Sequence, residues 1–462
     1  MWRSHELQRL RATVDQVKTI LDDTGAADRA NGDRPAGRPR GSGMVDLVVI
    51  VNGFPRLSET FVLAELLDLE RRGVRLHLVA LSRPEEAVEQ AGLGRLHATV
   101  EHLPPVTGPG TRVRVWAAHA TLLGRDAGRY LKGISTVIRS PDYSRRRLDQ
   151  AAVLAARLVD LGAPAMYVHF AHKPGTVARF ASLLAGIPYA MSAHAKDIWL
   201  TPPTELALKV RGAETVLTCT EEGRDHLERL AAGRTPVRLA YHGVDIPASV
   251  PARRQNGTPV VLAVGRLVEK KDHATLLRAA ALVRDRGAPF VMRIAGDGIE
   301  WPRLQRLVHQ LSLADRVVFL GPLTEEEVRS EYAGADVFAL PCRRLPNGDR
   351  DGLPNVILEA MAHGLAVVST TLAGVREAVI DGECGLLVDP GAERDLAAAL
   401  ERVLVDPALR ARLGGRASDR VRERFNRAEC LPAVHDTLTA AGLLGSVPLV
   451  PSAVHGNGAA AS

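Results

Sequence analysis

The sequence predicts an α/β protein made of two doubly wound, Rossmann-like domains that face each other across a cleft. Three observations carry that expectation. Short apolar, β-branched runs alternate with helical patterns, and they fall into two separate series. The runs lack a polar alternation, which suits parallel strands covered on both faces. Between the series lies VPARRQNGTP (250–259), whose Pro, Gly and polar content is that of a linker.

Taken in order, the chain opens with an N-terminal extension over 1–43. Trp2, Leu7, Leu10, Val14, Val17 and Leu21 recur at helical spacing and predict a helix over 2–22. Cations (Arg3, Arg9, Arg11, Lys18) and acids (Glu6, Asp15, Asp22, Asp23) balance there, which argues against an electrostatic membrane anchor. Residues 25–43 are rich in Gly, Pro, Arg and Ala and are expected to be disordered. Met44 is an alternative start of the folded chain. The first domain, 44–250, has expected strands at 47–51, 75–81, 166–170, 189–193, 215–218 and 237–240. The second, 256–425, has them at 260–264, 290–294, 317–320, 337–340, 366–369 and 385–388. A C-terminal helix at 426–445 is expected to pack back on the first domain, and 446–462 to be a disordered tail.

Composition narrows the function classes. Apolar residues make up 46% and charged residues 24%, the balance of a folded soluble protein. No run of about 18 apolar residues would span a membrane, and the N-terminus lacks a secretory core. Cys219, Cys342, Cys384 and Cys430 are far apart without a C-x-x-C, which fits a reduced cytoplasm and no structural zinc. The net charge is +6, and the excess is partly local. Residues 111–147 hold nine Arg or Lys against Asp126 and Asp142. Such a surface attracts phosphates, anionic lipid heads or nucleic acid, or is a plain solvated face.

Ligands of open parallel sheets sit at the carboxyl ends of strands, so chemistry is sought there. The first strand runs into VNGFPRLSET, where Gly53 allows a tight turn and Ser58, Glu59 and Thr60 begin a helix, an anion or sugar site or a capped helix start. His194 leaves the strand at 189–193 with Lys196 and Asp197 behind it. In VVLAVGRLVEKKDHATLL, Gly265 and Arg266 end a strand, and Lys270 and Lys271 precede a helix beginning near His273. An arginine fork, a lysine point charge and a helix dipole together suit a diphosphate. RIAGDG, with Gly296, lacks the third glycine of a dinucleotide fingerprint and stands too late in the domain. Gly321–Leu323 offers backbone edges to a nucleotide base. In DRDGLPNVILEAMAHG (349–364) two acids, Asp351 and Glu359, flank a helix start. Asp351 is either a capping acid or a ligand-facing one.

GRLVEKKDHATLL, RIAGDG, VVFLGPLTEEEV, ADVFALPC, DGLPNVILEAMAHGLAVVST and DGECGLLVDP follow in order over about 258–425. In this series the sequence resembles retaining glycosyltransferases of family 4, which have the GT-B fold. Residues 44–250 are more loosely similar, through FPRLSETFVLAEL, HFAHKPGTVARFASLLAGIPYAMSAHAKDI and HGVD, to the colanic-acid and exopolysaccharide branch.

The resemblance implies an enzyme of class EC 2.4; the cysteine usage fits a cytoplasmic one, and the basic 111–147 segment leaves an option of peripheral contact with the inner membrane face. It would move a hexose-type sugar from a nucleotide-diphosphate sugar to an acceptor hydroxyl with retention, in polysaccharide, glycolipid or natural-product biosynthesis. It implies that Arg266 and Lys271 bind the donor diphosphate, Glu359 the ribose hydroxyls and Asp351 the donor sugar. Amides near Leu353, Pro354, Asn355 and Val356 would face the distal phosphate. Gly296 and Leu323 complete the donor side. His194 would lie beside the donor sugar, and Gly53 and Ser58 on the acceptor side. His194, Asp351, Arg266 and Lys271 form the expected catalytic set, without a covalent nucleophile. No metal is expected, since no D-x-D stands at a strand end. Expected partners are the nucleotide sugar and a carbohydrate, lipid-linked or small-molecule acceptor, not nucleic acid.

Four positions depart from the family pattern. Asp351 replaces a usual Glu, Asp272 a frequent Gly, Cys342 a frequent Ser and His242 an Asn. The second leaves the diphosphate lysine open between Lys270 and Lys271. Two other readings stand beside the transferase: a GT-B-fold nucleotide-sugar epimerase and a non-catalytic nucleotide-sugar-binding protein.

Overall fold

The computed structural model describes residues 45–56, 59–83, 92–108, 110–249 and 257–445. The expectations for 1–43, for Ser58, for the tail and for most of the 250–259 linker lie outside the described residues.

Two all-parallel sheets organise the chain. The first contains β1 (Leu47–Val51), β2 (Leu76–Ala80), β3 (Thr99–His102), β4 (Met166–His169), β5 (Tyr189–Ala193), β6 (Thr215–Thr218) and β7 (Val237–Leu239), in the order β3-β2-β1-β4-β5-β6-β7. The second contains β8 (Val260–Val264), β9 (Val291–Ala295), β10 (Val317–Gly321), β11 (Val337–Leu340), β12 (Ala366–Thr370) and β13 (Leu386–Val388), in the order β10-β9-β8-β11-β12-β13. In each sheet the order reverses beside the first strand, the mark of a doubly wound fold.

The non-alternating apolar runs have a direct cause. Along β1, Val48 and Ile50 enter the core on one face while Leu47, Val49 and Val51 enter the core on the other. Val261 and Ala263 of β8 divide from Leu262 and Val264 in the same way. A strand covered by helices on both faces has no position left for a polar residue. β3 was not expected. It is an edge strand whose Thr99 and Val100 are exposed, so its run ATVEH carries no apolar signal.

The helices that position the cleft are α1 (Thr60–Arg71), α2 (Thr111–Arg125), α3 (Ala127–Ile138), α4 (Arg145–Asp160), α5 (Lys173–Ala185), α6 (Ala195–Leu200), α7 (Pro203–Gly212) and α8 (Glu221–Ala231) in the first domain. The second has α9 (His273–Asp285), α10 (Trp301–Gln310), α11 (Glu325–Gly334), α12 (Asn355–Ala362), α13 (Ala373–Ala378), α14 (Glu393–Val405) and α15 (Pro407–Arg424). The C-terminal segment is two helices, α16 (Arg427–Cys430) and α17 (Pro432–Ala440), broken where Pro432 follows Leu431. Val434, Leu438, Leu443 and Leu444 return to the first domain and pack in the cluster of Leu47 and Val49. Among the described residues no helix is long and apolar enough to cross a membrane.

Candidate active site

In the second sheet the strand order reverses between β8 and β11, so a crevice opens beyond their carboxyl ends. The segment after β8 brings Gly265, Arg266, Lys270 and Lys271 to that crevice, and the segment after β11 brings 349–353. The two segments are joined by charge. Lys271 Nζ lies 2.9 Å from Asp351 Oδ2, and Lys270 Nζ lies 3.3 Å from Asp351 Oδ1. Lys270 also reaches Asp349 Oδ1 at 3.0 Å and donates to the Arg350 carbonyl at 3.5 Å. Lys270 is therefore occupied in fixing the 349–351 loop. Lys271 lies against Gly265 and within electrostatic reach of Arg266.

Burial alone would raise the pKa of Asp351, but the two lysines and the Cys342 thiol outweigh it and hold the carboxyl at about 2. Burial likewise opposes the charge on Lys271, and Asp351 more than offsets it, raising the lysine above its ordinary value. Cys342 Sγ donates to Asp351 Oδ2 at 3.5 Å, and burial beside that carboxylate pushes the thiol up to about 12. Asp351 is thus a charged acid facing cations and does not cap a helix. Asp272 has φ +52, the left-handed region that a glycine adopts freely, and its side chain caps α9 by accepting from Thr275 N at 3.4 Å.

Pro354 precedes α12, which has no acid in its first turn and no side-chain cap. Its amides and dipole face the loop that carries Asp351, an arrangement ready for an anion. Pro354 is buried, and Leu353 and Asn355 are half-buried. Behind them the glycine-bearing strand ends interlock. Gly265 N donates to Ala295 O at 3.0 Å, and Gly296 N to Gly321 O at 2.8 Å. Gly296 has φ +134, and a Cβ there would lie 2.0 Å from Gly265 O, so only glycine fits. Leu323 is half-buried beyond β10.

Glu359, eight residues after Asp351, lies one turn into α12. Tyr332 of α11 donates to its Oε2 at 2.9 Å, and its ring packs against His363, centroids 5.2 Å apart. Burial raises the Glu359 pKa, opposed by the tyrosine hydrogen bond and by Arg427. Glu359 is not a solvated helix position.

The facing wall comes from β1, β4 and β5. His194 leaves β5 buried, its backbone N donating to Asp197 Oδ1 at 3.1 Å, while Ala171 N donates to the other oxygen of that carboxylate. The His194 ring lies 4.8 Å from both Phe61 and Phe170 and 5.2 Å from His242. Phe170 holds φ +77, a conformation costing an L-residue about 1–2 kcal/mol. Burial and the neighbouring imidazoles hold the His194 pKa well below its ordinary value, so the ring is neutral. His242 is the opposite case. Burial works against its charge, but Cys219 and Glu65 outweigh that and push it up to about 10. Glu65, 3.2 Å from His242 Nδ1, also accepts from Tyr167 OH at 3.0 Å. Ligand atoms of His194, Cys219 and His242 lie within 4.8 Å of one another. Gly53 lies in the loop after β1, where a Cβ would stand 3.3 Å from Ser82 O.

Contacts across the cleft bring the walls together. The site for a Cβ on Gly352 lies 3.3 Å from Thr220 Cγ2 and 3.6 Å from Ala195 Cβ, so the Asp351 loop abuts the residue after His194. Arg350 lies over the Trp199 ring at 3.6 Å and pairs with Glu222 at 2.9 Å. Glu377 accepts from Tyr241 OH and from Glu221 N, both at 2.9 Å. Arg266, exposed at the end of β8, lies within electrostatic reach of Glu59 of the first domain. His194, Arg266, Lys271, Asp351 and the α12 start therefore line one cleft. Sequence reasoning missed Tyr332, Arg350, Trp199 and Glu65. The signal available for Tyr332 was an aromatic with a polar tip on an interior helix face, which needs a partner.

Residues 248–420 match the family described as Glycosyl transferases group 1. Over 407 residues the chain is 29% identical to the alpha-D-kanosaminyltransferase of Streptomyces kanamyceticus, covering 79% of this chain and 97% of that one. It is 26% identical to WcaL of Escherichia coli K12, named for colanic acid biosynthesis, over 81% of this chain and 94% of that one. Among solved structures, Anabaena Alr3699/HepE in complex with UDP and glucose superposes with a TM-score of 0.63 at 20% identity, over 85% of this chain and 99% of that one. The fold is GT-B: two doubly wound domains, the second of which holds most of the matched residues.

Proposed function

We propose that the chain is a retaining glycosyltransferase that moves a sugar from a nucleotide diphosphate to an acceptor hydroxyl. The observation that carries the reading is the set of cations and helix amides gathered at the β8/β11 switch point, opposite a buried neutral histidine. Arg266, Lys271 and the α12 amides are assigned to the diphosphate, Glu359 to the ribose, Asp351 to the donor sugar, and Gly296 and Leu323 to the nucleoside side. Gly53, together with Ser58 outside the described residues, is assigned to the acceptor side.

In the step envisaged, the acceptor oxygen bonds to the anomeric carbon as the bond from that carbon to the diphosphate breaks. The bonding pair leaves with the diphosphate, and the acceptor proton passes to a departing phosphate oxygen on the same face. Negative charge grows on the diphosphate, where fixed cations and a helix N-terminus stabilise it without reorganising. No metal enters this scheme. A neutral His194 orients the sugar by hydrogen bonding rather than by charge. The acceptor is read as a carbohydrate, a lipid-linked sugar or a small molecule, in polysaccharide, glycolipid or natural-product assembly. The basic 111–147 segment favours a lipid-linked or anionic acceptor in a cytoplasmic protein at the inner membrane face.

The test is a thermal-shift screen against UDP-, GDP-, ADP- and TDP-sugars. The true donor is expected to stabilise by roughly 3–4 kcal/mol at 100- to 1,000-fold excess over its dissociation constant. Glu359→Gln should remove most of that shift, and an undiminished shift refutes the donor-site assignment. Proton NMR of the first product, made with the stabilising donor, reads the anomeric configuration; inversion refutes retention.

A further inference from the structure

Helix α2 is apolar on two opposite faces. Val115, Ala118, Leu122 and Leu123 turn into the core of the first domain. The outward face has Val113, 76% exposed, and Trp116, 48% exposed, with Ala117, Ala120 and Gly124 completing its centre. Arg112 flanks this strip on one side, and Arg114 and Arg125 on the other. A surface helix of a soluble protein normally turns charged residues outward and keeps one apolar stripe for the core. Next to it, α3 exposes Leu131 at 38% beside Lys132. Three of the nine large hydrophobics exposed among the described residues fall on this helix pair, including the one exposed aromatic among them.

The unpaired charge around the strip is positive. Helix α2 contains no acid. Of the two acids in 111–147, Asp142 is buried and bonded to Ser140, and Asp126 pairs with Arg129. Arg112, Arg114, Arg125, Lys132, Arg139 and Arg146 form no ion pair among the described residues. A tryptophan and a valine in the centre, with arginines able to lie at headgroup depth on both flanks, match a helix lying in the plane of a lipid interface.

We propose that α2 is a membrane-docking helix: Val113 and Trp116 enter the interface of an anionic bilayer while Arg112, Arg114 and Arg125 contact lipid phosphates. Leu131 and Lys132 widen the same footprint. Charge complementarity selects anionic lipid over zwitterionic lipid, and the exposed apolar centre selects a bilayer over a soluble polyanion. The surface lies outside the donor cleft, so the inference stands whether or not the transfer reaction assigned there is correct.

The full chain is tested by co-sedimentation with vesicles of phosphatidylcholine alone and with vesicles containing about 30 mol% phosphatidylglycerol. Binding is expected only to the second, weakening by about tenfold or more in the triple variant Arg112→Gln, Arg114→Gln, Arg125→Gln. Fluorescence quenching by brominated lipid is expected in the wild type and lost in Trp116→Phe. Val113→Ser with Trp116→Ser should reduce partitioning at least about fivefold. All substituted side chains are exposed, and an unchanged melting temperature establishes that the variants fold. Equal binding to both vesicles, variants that bind as the wild type, or binding to heparin in place of vesicles without lipid quenching would each overturn the proposal.

Discussion

Replacing Asp351 by Asn keeps the shape of the side chain and removes the charge that two lysines face. The effect can be sized from the displaced ionisation. The carboxyl moves from an ordinary 3.8 to about 2. That displacement corresponds to about 2–3 kcal/mol of preference for the folded state. The side chain is only 15% exposed, so solvent screens little of this. The folded pKa is depressed, so the contribution is fully present above about pH 4 and is lost as pH falls through 2, with roughly half remaining near pH 3. For a domain of 150–250 residues, 1 kcal/mol displaces the melting point by about 2–4 °C, so Asp351→Asn should melt about 5–10 °C lower at pH 7. The assay is thermal unfolding across pH, with and without UDP. The gap should narrow from pH 5 to pH 3, and narrow again with UDP at pH 7, because phosphate oxygens then occupy the place of the missing carboxylate. A gap that is absent, or that stays constant from pH 5 to pH 3, refutes the ion-pair reasoning.

Other consequences follow from the same geometry. Arg350→Leu removes a desolvated cation–π contact and a half-exposed ion pair, together about 2–3 kcal/mol in favour of the closed cleft. Small-angle scattering should show a larger radius of gyration for that variant and for Trp199→Ala, and unchanged profiles would exclude a clasp. Tyr332→Phe leaves Glu359 without the hydrogen bond that lowers its pKa, so the apparent pKa governing UDP affinity should rise; a lower or equal value contradicts the pairing. Gly296→Ala forces a Cβ against the Gly265 carbonyl, and backbone cannot move aside as a side chain could. A loss of about 3–5 kcal/mol in urea unfolding is expected, and a loss under about 1 kcal/mol would mean that the strand ends are not interlocked.

The parallel strands were legible because burial on both faces writes itself as an uninterrupted apolar run, as in LVVIV of β1. The edge strand β3 was illegible for the complementary reason: with half its residues exposed it has no reason to be apolar. Gathering Arg266, Lys271 and Asp351 needed only the order of strand ends along the chain. What their side chains do to one another needed coordinates. The lysine ambiguity is one case, since Lys270 and Lys271 differ by which loop oxygens each meets some eighty residues away. Arg350 and Trp199 are another. Each looks like an ordinary surface residue until the two domains meet. Asp272 was noticed as a departure, and its φ of +52 explains why glycine would also serve there.

The Lys271–Asp351 contact has a further consequence, which concerns ionic strength. Lys271 already has a counter-ion in Asp351 before any donor arrives. A diphosphate that enters this site exchanges partners with a carboxylate and does not fill an uncompensated positive hole. Such an exchange changes the net charge within a Debye length of about 8–10 Å by less than simple addition would, so added salt should weaken donor binding only modestly. The carboxylate also remains beside the lysine as the diphosphate departs, ready to reclaim it. On the proposed assignment the fold would contain its own competitor for the product, and the site would reset without leaving buried cations bare.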